Sequence, residues 1–346
     1  MKSNINLKDL GERTIINIIE ELIFKKTNQR LIRDDSFFYS LLKDSDVREK
    51  KKLSLIFNSD MLVSTTDIPN QMNFYQIGRK SMLMNVSDLI VKGANPLGVF
   101  VSLGLPSSMK QIELEDLIKG IIDYCTKLEI NYIGGDLNET KEIIINPSVF
   151  GKIENDKIIK REGMNIDDFL VINRKFGLTG VGFDILLNDK NAVEINEKYN
   201  RAIKSVLEPS DLGLEGIILS ENKLATASID SSDGLARSLK ELIVSNPNLG
   251  MEIEFDNNLI DNEAIQYSKE FDIPLDNLVL NAGEEFIHIF SIKPEKFDLA
   301  QKMVQAKGGN LLKIGKVISD QNIYILKNNQ KYILNKDGYE HFLNSS

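Results

Sequence analysis

Two aspartates three positions apart, Asp230 and Asp233, stand where a buried run gives way to a helical one. In "ATASIDSSDGLARSLKELI", residues 225–243, Ala225 to Ile229 has the small and β-branched composition of a buried strand, and Leu235, Leu239, Leu242 and Ile243 recur at helical spacing. Two carboxylates at such a junction repel each other, and partial burial makes it costlier to keep both ionised, so the pair calls for a cation. A structural alternative exists, because Ser232 or Asp233 can cap the helix that follows. Capping accounts for one acid and leaves Asp230 over.

The same placement recurs along the chain. Asp60 ends the apolar run "LSLIFNSD", Asp136 ends "INYIGGD", and Asp35 opens another apolar stretch in "IRDDSFF". Asp88 interrupts the helical segment "MLMNVSDLIVKGA" among Met84, Val86, Leu89, Ile90 and Val91, where a carboxylate needs a partner. Basic residues near these acids are too few to neutralise them as ion pairs. Mg²⁺ fits the oxygen-only donor set, being commonly shared between carboxylates and substrate phosphates. The glycines of "GGD" at 134–136 and of "FGLTGVG" at the start of a helix would let backbone amides approach an anion, although ordinary turns explain either one equally well. No G-x-x-x-x-G-K-[ST] loop and no H-R-D or D-F-G set is present. These features predict metal-assisted phosphoryl transfer without a covalent nucleophile, with Asp230 and Asp233 at the reacting phosphate.

The elements that must position these acids alternate between helical and strand patterns. After an amphipathic N-terminal helix come a strand "KLSLIFNSD", a helix from about Tyr75 to Lys92, a strand "LGVFVSLGLP", a helix from about Glu113 to Leu128, a strand "INYIGGD" and a long strand "EIIINPSVFGKI". The chain turns polar near "ENDKIIKREGMNIDD", and a second alternation begins at "FLVIN" and runs through the opening motif to "EEFIHIFSIK" and "NLLKIGKVIS". The expectation is a two-domain α/β protein divided near residue 155, into 1–155 and 156–346, with a shared interface.

Composition narrows the function. At 346 residues, 42% hydrophobic and 27% charged, the chain has the make-up of a globular protein with room for two cores. A formal net charge of −9 argues against general nucleic-acid binding, and no apolar run approaches membrane-spanning length. The N-terminus fits neither a signal nor a transit peptide, so a cytoplasmic location is expected. One cysteine, Cys125, and two histidines, His288 and His341, exclude an internal disulfide and a cysteine- or histidine-rich metal site. The basic run Arg48–Lys52 reads as a solvated hairpin tip.

Taken in order, "RDDSFF", "NSDMLVSTTDIP", "NVSDLIVKGANPLG", "IGGDLNE", "KREGMNIDD", "SIDSSDGLARSL", "AGEEFIHIF", "IGKV" and "GYEHF" resemble thiamine-monophosphate kinase, of the aminoimidazole-ribonucleotide-synthetase-like superfamily. The resemblance runs from about Gly11 to Phe342, and "STTDIP", "GGDLNE" and "AGEEF" are similar to its archaeal branch. It implies a homodimer in which the N-terminal domains pair into a β-barrel, with ATP near that interface, several Mg²⁺ ions, and direct transfer of the ATP γ-phosphate to thiamine monophosphate. It implies metal positions at Asp35, Asn58, Ser59, Asp60, Asp88, Asp136, Asp230 and Asp233, and nucleotide contacts at Gly135, Asp136, Arg161 and Ser232. Substrate positions are implied at Glu284 and Tyr339, with Asp67 where many bacterial members carry a histidine.

The chain departs from the bacterial pattern at Arg33 and Asn58, in "GGDLN", and in lacking the aromatic expected before the terminal Gly-Tyr. Asn58 would offer a carbonyl oxygen to the metal. Tyr339, Phe286, Phe74 or Tyr75 would then cover the cationic thiazolium. The alternative is another ATP-dependent enzyme of the superfamily, acting on a small substrate such as a purine intermediate. Selenide chemistry does not fit a lone Cys125 in a helix, and a catalytically inactive scaffold would be expected to have lost acids.

Overall fold

A computed structural model describes residues 9–28, 30, 34–40, 52–188 and 193–339. Most of the basic run, at Arg48 to Lys51, and Arg33, His341 and Phe342 lie outside the described residues. The N-terminal helix α1 is Glu12–Thr27, and none of its residues is buried. There follow β1 (Phe37–Ser40), β2 (Leu53–Asn58), β3 (Leu62–Val63) and the single turn α2 (Ser64–Asp67). Helix α3 (Phe74–Val91), β4 (Asn95–Leu105), α4 (Gln111–Lys127), β5 (Asn131–Glu139) and β6 (Ile144–Glu154) complete the first half. Their strands form one sheet in the order β1-β2-β6-β4-β5, antiparallel except for β4–β5, which α4 connects, while β3 pairs with β6.

The second half begins with β7 (Phe169–Ile172), α5 (Leu178–Leu187), α6 (Val193–Lys198), α7 (Asn200–Leu207) and α8 (Glu215–Glu221). It continues through β8 (Ala225–Ser231), α9 (Leu235–Ser245), β9 (Gly250–Glu254), α10 (Asn262–Phe271), β10 (Ile287–Ile292) and α11 (Pro294–Gln305). Strands β11 (Leu312–Ile318), β12 (Ile323–Lys327) and β13 (Gln330–Ile333) end it. A second sheet runs β13-β12-β9-β11-β7-β10-β8, with only β9–β12 parallel. Among the described residues, no helix is long and apolar enough to cross a membrane.

Helix α3 joins the halves. It starts at a capping box in which the Asn73 side chain accepts from the Gln76 amide and the Gln76 side chain from the Asn73 amide, satisfying two donors that a helix start leaves open. It packs on β2, β4 and β6 and also on β8 and α8, and Met82, Leu83, Val86 and Leu89 are fully buried. Against α4 the backbones meet without side chains between them: a Cβ on Gly78 would lie 2.0 Å from the Leu117 carbonyl, and one on Gly120 2.1 Å from that of Tyr75.

The other face of the first sheet is apolar and open. Phe37 is 47% exposed, Phe57 40% and Phe100 48%, with Phe150 between the last two at ring separations of 6.2 and 6.4 Å. Strand β5 does not end at Asp136 as the sequence suggested. It runs on to Glu139 along the sheet edge, and register pairs Asp136 with Ser102, and Ser102 with Asn146, across this open face.

Replacing Gly120 by alanine should force α4 away from α3. The expected destabilisation is about 1–3 kcal/mol, read as a lower melting temperature with the far-ultraviolet circular dichroism unchanged at 20 °C below it.

Candidate active site

Six aspartates from four segments line one cavity of about 210 Å³: Asp34 and Asp35 before β1, Asp60 after β2, Asp88 on α3, and Asp230 and Asp233 around the β8–α9 turn. Arg161, Arg237 and Glu241 close another side. Strand β8 carries Asp230 in because its backbone is paired with β10, which sets His288 opposite Asp230. The chain then turns at Gly234, whose φ of 95° disfavours any residue with a Cβ. Gly234 is also the residue before the first turn of α9, so neither Ser232 nor Asp233 occupies the capping position and both line the cavity.

Asp35 is neutralised within the chain. Its oxygens lie 2.6 Å from Lys92 Nζ and 2.9 Å from Arg161 Nε, and Asp34 is 2.7 Å from the same lysine. Burial acts to raise the Asp35 carboxyl pKa, but these cations hold it below the usual carboxylate range. The expectation of too few basic residues fails here. Lys92 follows α3 and Arg161 lies beyond β6, both far from Asp35 in sequence, so proximity along the chain could not reveal the pairing.

Among the described residues, no lysine or arginine is paired with Asp88 or Asp230. Burial, then the charges of Asp60, Asp230 and Asp35, push the Asp88 carboxyl well above its ordinary range. Burial and Asp35 push Asp230 up to about 8. Asp230 Oδ1 is buried with no hydrogen-bond partner among the described residues, and the nearest nitrogen of His288 is 3.9 Å away. Burial drives His288 down to about 3, so it is neutral, with Nε2 3.0 Å from Ser87 Oγ. Asn58 donates from Nδ2 to Asp60 Oδ2 at 3.1 Å and to Asp88 Oδ2, and its carbonyl accepts from the Ser59 amide. The expected role of Asn58 as a carbonyl ligand is therefore reversed here: its amide group faces the acids. Buried Asn85 clamps the Asp60 backbone, accepting from its amide at 2.7 Å and donating to its carbonyl at 3.0 Å.

Other expected site residues are not brought to the cavity. Ser59 Oγ bonds Asn146 Oδ1 at 2.9 Å and Ser148 Oγ at 2.8 Å, on the open face of the first sheet. There a groove of about 490 Å³ runs between Phe37, Phe57, Asn58, Ser59 and Ser148 and the far side of Asp34 and Asp35. Asp136 and Gly135 lie on strand β5 of that sheet, outside the acid cavity. Gly135 packs so closely on β4 that a Cβ would lie 1.8 Å from the Val101 carbonyl oxygen. The "FGLTGVG" turn does meet a carboxyl group, but it is the chain's own Glu285, whose Oε1 accepts from the Gly177 amide at 2.6 Å. Burial pushes Glu285 up to about 7.

Asp67, Glu284 and Tyr339 do not line this cavity but lie near one another, the first two joined through Lys80 and Tyr339 within the field of both. Asp67 Oδ2 accepts from the Val63 amide at 2.7 Å, fastening the turn α2, while its carbonyl accepts from Lys80 Nζ at 2.7 Å. The same ammonium lies 2.5 Å from Glu284 Oε1. Tyr339 is tied to the β8–α9 turn through its amide and the Asp233 carbonyl, 3.0 Å apart, and its ring is 43% exposed. Of the other aromatics considered, Phe286 is buried in the core of the first half and Tyr75 bonds Asp123 at the surface. Lys80, Asn85 and Lys92 went unnoticed in the sequence. The signal was present, since Lys80 and Asn85 interrupt an apolar helix as Asp88 does and Lys92 directly follows its apolar end.

Among the described residues, no three acidic groups converge closely enough to hold an ion by themselves. The donor set nevertheless suits Mg²⁺, which keeps several waters and takes one or two carboxylates with substrate phosphates. The unpartnered Asp230 oxygen and the raised Asp88 carboxyl are groups whose charge a cation would offset.

Residues 35–153, which carry Asp35, Asp60 and Asp88, match the family model of the AIR synthase related protein, N-terminal domain. The solved structure of AaThiL complexed with AMPPCP and TMP superposes with a TM-score of 0.79 at 23% identity, covering 98% of this chain and 99% of the other. Over 85% of its length the chain is 31% identical to the thiamine-monophosphate kinase of Nitrosopumilus maritimus, covering 91% of that protein. To that of Pyrococcus horikoshii it is 30% identical, over 83% of this chain and 86% of the relative. The chain belongs to the thiamine-monophosphate kinase family.

The raised carboxyl of Asp230 has a consequence for the metal-free protein. Because its folded pKa lies above 3.8, the folded state binds the proton more tightly, and stability from this group is lost as pH rises from about 4 to about 8. Asp230→Asn should therefore raise the melting temperature in EDTA, and by more at pH 8.5 than at pH 5.5, as scanning fluorimetry would record.

Proposed function

We propose that this protein transfers the γ-phosphate of ATP directly to thiamine monophosphate, forming thiamine diphosphate and ADP. The observation that carries this reading is that one helix bears both Asp88, which lines the acid cavity, and Lys80, which holds Glu284 and the Asp67 turn. Lys80 and Asp88 are eight positions apart on α3, roughly 12 Å at 1.5 Å per residue. An extended acceptor fits that span with its phosphate at the aspartates and its cationic thiazolium toward Glu284, Asp67 and the Tyr339 ring, groups suited to positive charge.

In the reaction an oxygen of the acceptor phosphate attacks Pγ, the bond from Pγ to the β-bridging oxygen breaks, and that oxygen leaves on ADP. Bound Mg²⁺ supplies charge neutralisation for phosphates that otherwise repel each other and the aspartates. We assign Asp60, Asp88, Asp230 and Asp233 to hold it, with Asp35 as a charge-balanced support whose own cations keep it ionised. Asn85 fixes the Asp60 backbone, and His288, neutral beside Asp230, leaves that carboxylate's charge uncompensated for the metal. Ser232 and Arg161 border the nucleotide phosphates in this reading.

We also propose that residues 1–155 form the ATP- and dimer-forming domain and 156–346 the second domain. The uncovered aromatics Phe37, Phe57 and Phe100 support pairing of two first sheets across their open faces into a barrel. Such a homodimer would bury the face that carries Asp136 and Ser59 and give the neighbouring groove a second wall, which is where we place their contribution to nucleotide and metal.

Coupled ADP release measured over a panel of acceptors tests the activity. Turnover is expected with thiamine monophosphate and Mg²⁺, none in EDTA, and none with purine-pathway ribonucleotides. Turnover with a purine intermediate alone would replace this reading with the alternative substrate. In the same assay Asp230→Asn should lower kcat by at least 100-fold, an effect of the size expected for losing a transition-state charge contact, while the protein stays folded.

A further inference from the structure

Lys80 carries an ammonium group into the interior at 1% exposure. It donates to the Asp67 carbonyl at 2.7 Å and to Glu284 Oε1 at 2.5 Å. Three features there are each unfavourable for folding alone. An ion pair that buries its ammonium, against a Glu284 side chain only partly exposed, is often no better for stability than apolar side chains of similar size. Glu284 and Phe286 have φ of 60° and 47°, in the left-handed region that side chains with a Cβ avoid. Glu284 Oε2 is buried with no hydrogen-bond partner among the described residues.

The strained segment is held in place by the Glu284 amide on the Ser232 carbonyl at 2.5 Å and the Phe286 amide on that of Ser231 at 3.0 Å. The backbone of Glu284 is thereby fixed to the turn that carries Asp230 and Asp233. Its carboxylate is fixed by Lys80, from the helix that carries Asp88. One oxygen is saturated by the ammonium and the other is left for something else.

We propose that Lys80 is the positioning residue of the acceptor end. It orients Glu284 so that Oε2 alone meets a cationic or hydrogen-bond-donating group at the end of the acceptor remote from its phosphate, and it ties the Asp67 turn to the same point. This rests on the reading of Glu284 as an acceptor contact given above.

Four variants test it: Glu284→Gln, Lys80→Met, Lys80→Arg and the double variant Lys80→Met/Glu284→Gln, which leaves no unpaired buried charge and so keeps the test alive if Lys80→Met fails to fold. KM for thiamine monophosphate and for ATP and the melting temperature are measured for each. Glu284→Gln and Lys80→Met should each raise the acceptor KM by roughly tenfold or more, the size of one charge-assisted contact, with the KM for ATP within about twofold of wild type. The double variant should be no worse than Glu284→Gln, and Lys80→Arg should recover part of the loss. A melting temperature that falls in Lys80→Met with acceptor KM unchanged, or effects that simply add in the double variant, would overturn the role of Lys80 and leave Glu284 standing. An unchanged acceptor KM in Glu284→Gln would remove the acceptor reading of Glu284 and the inference with it.

Discussion

Repulsion among carboxylates is the constraint on which this structure turns. Asp60, Asp88, Asp230 and Asp233 meet where both halves of the chain abut, and raised carboxyls at Asp88 and Asp230 record the cost of that meeting. A fold selected for stability alone would place lysines or arginines between them. It does so for Asp34 and Asp35, which Lys92 and Arg161 neutralise, whereas among the described residues no lysine or arginine is paired with Asp88 or Asp230. The chain itself thus sets Asp34 and Asp35, which lysine and arginine hold, apart from Asp88 and Asp230, whose carboxyls are raised.

The scaffold keeps the acids of the cavity close by rigid means. Helix α3 packs against both sheets, and its buried polar side chains each perform a separate task along its length. Lys80 holds Glu284, Asn85 holds the Asp60 backbone, Ser87 meets His288, and Lys92 just past its end holds Asp34 and Asp35. A helix that is buried on nearly all sides cannot rotate to relieve the repulsion. Its glycine contact with α4 fixes it further, since close backbone approach leaves no slack for sliding.

Much of this was legible in the sequence because it depends on local pattern. The strands and helices around the acids follow from alternation and helical periodicity, and the position of Asp230 follows from a strand that ends in polar turn residues. What was not legible depends on three-dimensional pairing. The sequence around Asp35 does not show that Lys92 and Arg161 converge on it from 57 and 126 positions away, nor that Glu285 fills the helix start that its glycines left open. Asp136 misled because "GGD" looks like a strand end, whereas pairing with β4 carries the strand past it. Charged residues inside apolar helical runs were the overlooked signal: applied to Lys80 and Lys92 as it was to Asp88, the same burial argument would have found both.

Asn58 shows how the site balances its two states. A carboxylate at this position would add another charge to the cavity, and an apolar residue would leave Asp60 and Asp88 facing each other across a gap. The amide group instead donates to both, a partial positive charge where a cation would stand. Bringing its carbonyl to a metal requires the side chain to turn over and to give up its bond from the Ser59 amide. The uncharged amide thus bridges the two acids with dipoles alone and adds no charge of its own to a crowded carboxylate site.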